Sequence, residues 1–485
     1  MRFLRRHRRK ILGLALFVAA FPAAHLAIGL ASRATPPRIT MPTLERRSEG
    51  PVTFVGKGSY RRDRGLHEVV LEGGPEELGA QHAALLYDRM VDNERDLWEG
   101  FASIVPFAPA RVAMFDLGRL RHRGVDREFP GVRRRELAAQ ALAFSPDPYE
   151  GRLPTYERMA FLHALYDISL GFERSPLLGC SVFGLGPAAT RDGHTLVARA
   201  FDFDAADVFD TDKAVFFVKG QGVLPFASVA WPGLVGVLTG MNSEGVFVSV
   251  NGARARDPRA TGMPVIFALR EVLERARSTD EAVAVLSGQE IMVSHLVFVA
   301  DARGAFAVVE RAPGAPAHTR RTFADPARVP LTNHFEGPLA EDPRDARVRR
   351  SSSTLARRAR LDEMLSAVSD GGATPESVLA MLRDHGCARG EAGCALGDRR
   401  AIDALIATHG VVADTSARIL WVSRGPHLAG AFVGFDLGAI FSTNAPASGV
   451  VQPRDLPPDL LLHDTAAWNE GRRRAGGPLL APRKK

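Results

Sequence analysis

Residues 177–204 read LLGCSVFGLGPAATRDGHTLVARAFDFD, and the rest of the chain is arranged around them. The stretch opens on Gly179-Cys180 and stays apolar to Ala189. It turns at Arg191-Asp192-Gly193-His194 and closes on a second apolar run ending Arg199-Ala200-Phe201-Asp202. Asp-Gly between two β-prone runs predicts a hairpin, because glycine accepts the positive φ of tight turns. The fold-back sets Cys180 at the start of one strand, with Arg199 and Asp202 near the end of its partner. One thiol, one guanidinium and one carboxylate then meet. In isolation an unpaired Cys reads as a small buried hydrophobe, and Arg199 with Asp202 as an ion pair at a strand end.

Downstream of Cys180 the pattern is one of short strands: 181–188, 195–201, 214–218, 226–230, 235–239 and 246–251. Helices are expected near 264–275 and 280–286. Strands follow at 295–300 and 306–310, with another ending at Leu331-Thr332-Asn333-His334-Phe335. Helices return at 353–368 and 375–383, and strands at 411–414, 419–422 and 431–435. Upstream, a strand over 66–71 leads through Gly-Gly-Pro-Glu-Glu into a helix over 75–98, with Pro75, Glu76 and Glu77 suited to its first turn. Further helices are expected at 133–144 and 155–170. Strands, then helices, then strands predict an α+β fold of two stacked antiparallel sheets covered by helices.

The ends read differently. Residues 1–10 carry six basic side chains, and residues 11–31 form an apolar run broken by Pro22 and His25. A basic start before an apolar run predicts a signal peptide or signal-anchor over 1–31, with the body exported (periplasmic or extracytoplasmic) and attached to the membrane by 11–31. Residues 32–58, with four prolines, read as a linker. The basic residues from 464 onward read as a disordered tail. The net charge of +7 comes largely from these two ends, so no nucleic-acid face is indicated.

Three cysteines are few. Cys387 and Cys394 sit in a Gly-rich loop and could form a local disulfide in an exported protein. The rival reading makes them metal ligands with His385 and His409, in a spacing that matches no common zinc pattern. Either way Cys180 is left unpaired.

Gly-Cys-Ser, the Asp-Gly turn and Arg199-x-x-Asp202 together resemble the acyl-coenzyme A:isopenicillin-N acyltransferase family of N-terminal-nucleophile hydrolases, related to choloylglycine hydrolases and acid ceramidases. Leu-Glu-Gly-Gly-Pro-Glu-Glu-Leu-Gly with Gln81-His82 is similar to the entry of that family's pro-segment. Gly240-Met241-Asn242-Ser243-Glu244-Gly245 with Asn251 resembles a choloylglycine hydrolase block, Leu331-Thr332-Asn333-His334 its second Asn, and Arg357-Arg358-Ala359-Arg360 the family's Arg-x-x-Arg. The resemblance covers most of residues 66–436. It implies a four-layer αββα sandwich with a helical pro-segment at 59–179, self-cleavage between Gly179 and Cys180, and a catalytic domain at 180–463. The two processed chains would stay associated. Cys180, Arg199, Asp202, Asn251, Asn333 and Arg357 would form the catalytic site, with no cofactor or metal and a small N-acyl amide as substrate.

Residue chemistry gives the steps. The Cys180 thiolate attacks the Gly179 carbonyl, glycine offering no Cβ in the way, and water resolves the thioester. The freed α-amine, with an ordinary pKa of about 7.7–8.0, then serves the thiol as base without a histidine. Arg199 would favour the thiolate, Asp202 would hold the amine, and the Asn251 and Asn333 amides would face the tetrahedral oxyanion. His334 reads as structural. Ala200 and Ala356 depart from the relatives' Asn and Ser, which keeps open a second reading: a membrane-tethered, inactive binding protein on the same scaffold. Gly184-x-Gly186 lacks the following helix of a dinucleotide loop, and no Gly-x-Ser-x-Gly elbow is present.

Overall fold

Side chains of the strand Leu196–Asp202 alternate between two cores, which explains why the chain builds layers. Val197 packs between two sheets, while Leu196, Ala198 and Ala200 pack outward under helices. The computed structural model describes residues 20–171, 179–203, 208–442 and 451–476. One sheet has six strands in the order β14 (Arg328–Leu331), β5 (Ser181–Leu185), β6 (Leu196–Asp202), β15 (Ala407–Asp414), β16 (Ile419–Ser423) and β17 (Phe432–Asp436). The other has eleven. They run β1 (Arg46–Glu49), β2 (Val52–Val55), β3 (Gly58–Asp63), β4 (Leu66–Gly73), β7 (Ala214–Gly220), β8 (Phe226–Ala230), β9 (Thr239–Asn242), β10 (Phe247–Gly252), β11 (His295–Ala300), β12 (Phe306–Arg311) and β13 (His318–Arg320).

Val182, Val197, Phe217, Phe247 and Phe298 fill the space between the sheets. α2 (Pro75–Ile104), α4 (Gly131–Ala143), α5 (Thr155–Leu170) and α7 (Val265–Arg275) cover the large sheet. α10 (Thr354–Ser366) and α11 (Pro375–Leu382) cover the small one. This is the expected αββα sandwich.

Several boundaries move. The hairpin is looser than Asp-Gly suggests. β5 stops at Leu185, Leu185 pairs with Leu196, and Gly193 takes φ +69° in the intervening loop. The linker expected at 32–58 is partly sheet, since β1, β2 and the start of β3 lie within it. Prolines at 36, 37, 42 and 51 stand outside those strands, which is what spares the ladder. The block 59–179 is not purely helical: β4 pairs in parallel with β7 and carries β3 into the main sheet. The strand expected at 235–239 is instead β9, beginning at Thr239. The tail is not disordered where described. α13 (Thr465–Ala475) is capped by Asp464 and buries Trp468 at 1% exposure. The expectation for 477–485 falls outside the described residues.

The signal segment falls partly outside them too, residues 20–31 being helix α1. Among the described residues no single helix is long and apolar enough to cross a membrane. Cys387 and Cys394 are joined in a disulfide, Cα atoms 5.3 Å apart.

Buried charges join the upstream helices to the later body. Arg270 of α7 donates to Glu136 of α4 and to Glu274, each at 2.9 Å, and Arg133 reaches Glu274 at 3.1 Å. Gly79 lies so close to α4 that a Cβ there would meet the Glu136 carbonyl oxygen at 2.0 Å.

Candidate active site

β5 and β6 lie side by side, and Ser181 pairs with Ala200. Cys180, one residue before β5, therefore faces the end of β6. Its sulfur lies 3.8 Å from Arg199 Nη2 and 3.9 Å from the Asp202 carbonyl oxygen. Arg199 is itself fixed: Nη2 donates to Val250 O at 2.6 Å and Nη1 to Asn251 Oδ1 at 3.3 Å. Gly179 backs directly onto Asp202, where an added Cβ would sit 2.7 Å from its Cβ and 2.8 Å from Oδ2. Close approach to this carboxylate is thus a second reason for glycine before the cysteine.

Arg357, entering from α10, completes the cluster. Nη1 donates to Cys180 O at 2.6 Å and to Ser181 Oγ at 2.9 Å, and Nη2 to Asn333 Oδ1 at 2.8 Å. The structure brings together all six residues singled out from the sequence.

Two of them also hold backbone. The Asn251 amide donates to Cys180 O at 3.3 Å and to Thr332 O at 2.9 Å, and the Asn333 amide to Gly252 O at 2.9 Å. In the uncut chain these amides clamp backbone. The thiol is buried. Cys180 is 1% exposed, and burial pushes its pKa up, against the opposing pull of Arg199 and Arg357. Removing a thiolate from water outweighs one guanidinium 3.8 Å away.

His334 sits in a hydroxyl network with Thr332 and Thr354, and burial pushes it down to about 4. Ala200 packs into the outer core, away from the thiol. Its departure from the relatives' Asn therefore leaves the sulfur's surroundings intact.

Beside the cluster opens a small apolar pocket, lined by Phe203, Phe209, Trp231, Tyr166 and Met159 among others. Phe203 follows Asp202 directly, and its ring stacks on Trp231 at 6.0 Å. His82 and His163 hold the pocket's Trp231–Val235 loop by accepting from Gly233 N at 2.9 Å and Val235 N at 3.0 Å. Burial pushes them down to about 3 and about 4, so both are neutral acceptors. Gln81, beside His82, pairs with both backbone groups of Glu72.

Sequence reasoning missed Tyr166. Its hydroxyl is buried, with no hydrogen-bond partner among the described residues, on the pocket wall. Helical periodicity marks Tyr166 as a core residue and says nothing of where its hydroxyl ends.

Residues 189–387 match the family described as Acyl-coenzyme A:6-aminopenicillanic acid acyl-transferase. The matched span contains Arg199, Asp202, Asn251, Asn333 and Arg357 and begins after Cys180. A protein of uncharacterised function from Archaeoglobus fulgidus is 25% identical over 279 residues, 54% of this chain and 44% of that relative's length. Solved structures with likeness include an N-acylethanolamine-hydrolyzing acid amidase ortholog from Caenorhabditis elegans (TM-score 0.36, 16% identity, 49% of this chain and 93% of that one). Penicillin V acylase from Agrobacterium tumefaciens is another (TM-score 0.34, 18% identity, 57% and 99%). A third is a conjugated bile acid hydrolase mutant from Clostridium perfringens (TM-score 0.31, 11% identity, 56% and 95%).

Proposed function

We propose, for a chain whose residues 189–387 match the acyl-coenzyme A:6-aminopenicillanic acid acyl-transferase family, that it is a self-cleaving cysteine amidohydrolase or acyltransferase acting on N-acyl amides with an apolar acyl group. The observation that carries this is the placement of the Cys180 sulfur, 3.8 Å from Arg199, on a residue whose preceding glycine rests against Asp202.

In self-cleavage the sulfur bonds to the Gly179 carbonyl carbon and the Gly179–Cys180 C–N bond breaks. Water then attacks the thioester, leaving a carboxylate on Gly179 and a free thiol and α-amine on Cys180. The upstream chain would remain in place, because it supplies β1–β4 and the buried Glu136–Arg270 pair. In turnover the same sulfur bonds to the substrate's carbonyl carbon. The α-amine takes the thiol proton and passes it to the departing amine. Water or a second amine then cleaves the thioester, releasing acid or new amide and restoring the thiol.

The pocket at Phe203 and Trp231 receives the acyl group. The test is intact-mass analysis after brief incubation with N-acyl amides of graded chain length. Acylation confined to Cys180 supports the reading. Turnover that survives Cys180→Ala overturns it.

A further inference from the structure

Four polar side chains interrupt the apolar wall of the pocket at Phe203 and Trp231: Asn93, Glu94, His163 and Tyr166. Two of them are spent inside the protein. Glu94 accepts from Trp98 Nε1 at 3.1 Å and pairs with Arg158. His163 Nδ1 donates to Met159 O at 2.7 Å, and its Nε2 accepts from Val235 N at 3.0 Å.

Asn93 and Tyr166 are left over. Asn93 is 4% exposed, and its Nδ2 donates to Pro232 O at 3.2 Å. That bond decides which end of the amide is nitrogen. Oδ1 is therefore the unspent end, a buried acceptor with no hydrogen-bond partner among the described residues. The Tyr166 hydroxyl is in the same condition. Burial pushes its pKa up, so it stays a neutral phenol. The two residues meet different parts of the wall. Tyr166 packs its ring against Phe201 and Phe203, which flank Asp202, and so stands at the reacting end. Asn93 is bonded to Pro232, next to Trp231, whose ring stacks on Phe203 at 6.0 Å. A buried acceptor left unpaired is costly, so asparagine on an otherwise apolar wall calls for a donor.

We propose that the acyl half of the substrate is an aliphatic chain bearing a hydroxyl group, which donates to Asn93 Oδ1. The proposal rests on the reading above, in which this pocket receives the acyl group. A keto or ether oxygen on the chain has no proton to give. A charged amine needs a carboxylate, and Glu94 is already paired with Arg158. A hydroxyl is small, neutral and a donor. A purely apolar pocket disfavours a hydroxylated chain, because the hydroxyl loses its water. A pocket with a waiting acceptor selects it, because the plain chain leaves that acceptor unpaired. The sign of the hydroxyl's effect on binding therefore separates the two. Asn93 belongs to α2, upstream of Gly179, so the upstream chain contributes acyl selectivity as well as sheet and buried charge.

The test measures equilibrium binding of decanoic acid, and of its monohydroxy forms with the hydroxyl on each carbon from 3 to 9, to the purified full-length protein. These acids are products of the proposed reaction and do not turn over. Wild-type protein is expected to bind one hydroxylated acid at least about fivefold more tightly than decanoic acid, the contribution of one neutral hydrogen bond. That preference disappears in Asn93→Leu and in Asn93→Ala, and it persists in Tyr166→Phe. The wild-type comparison stands without either Asn93 variant. Weaker binding of every hydroxylated acid than of decanoic acid overturns the inference, as does binding of none of the acids. A preference that survives both Asn93 variants, or that is lost in Tyr166→Phe alone, overturns it too. Acylation of Cys180 by the plain and hydroxylated N-decanoyl amides is read separately by intact mass. Its absence with every amide overturns the amidohydrolase reading, while the binding of the acids still judges the pocket.

Discussion

Replacing Gly179 by alanine tests the geometry at the scissile bond. The added Cβ would stand 2.7 Å from Asp202 Cβ and 2.8 Å from Oδ2, where ordinary contact begins near 3.4 Å. Either Asp202 or the Gly179 carbonyl must give way by about 0.7 Å. Reacting groups displaced by about 1 Å lose up to about 100-fold in rate, so Gly179→Ala should slow self-cleavage by about 10- to 100-fold. The assay is a time course of fragment formation on denaturing gels after purification. Gly118→Ala, where nothing lies within 4 Å of the new Cβ, serves as the control and should process normally. Cleavage of Gly179→Ala at the wild-type rate would refute the claim that Gly179 is packed against the Asp202 carboxylate for this chemistry.

Tyr166→Phe removes a hydroxyl with no partner among the described residues, so thermal stability should hold while kcat/KM for an N-acyl amide falls by about fivefold, one hydrogen bond's worth. Unchanged kinetics would show that the hydroxyl does not meet substrate. His82 and His163 are held neutral, near 3 and 4, while free histidine titrates near 6.5. The unfolded chain therefore binds more protons as pH falls below about 6.5, and stability must drop from there toward pH 4. His82→Gln should lower Tm at pH 7 and flatten that slope, and an unaltered slope would contradict the assignment. Cys387→Ser/Cys394→Ser opens a loop of sequence separation 7 and should cost about 2.5 kcal/mol on the chain-entropy estimate, measured by denaturant titration. A loss near zero would show the loop is held without its cross-link.

The sandwich can be read from the sequence where periodicity is strong. Leu196–Asp202 is a short apolar run because both its faces are buried, and α7 has one apolar face because it must bury that face against a layer. β1–β3 are hidden by flanking prolines and charges, and β1, the sheet edge, is exposed throughout and needs little apolar content. α13 is hidden by its arginines, although Trp468 marks the buried side. The six site residues stand at strand ends and a helix start, positions that motif spacing does locate. The buried thiol and the amides bonded to backbone arise only when β10 and α10 converge on β5, and no local pattern encodes that convergence.

The most direct measurement is the N-terminal sequence and mass of each chain in the purified, catalytically active protein. The account predicts a large fragment beginning Cys180-Ser181-Val182, held with a smaller fragment ending at Gly179, and acyl mass appearing on the large fragment alone. A fully active protein that remains one uncut chain of 52.4 kDa would contradict it.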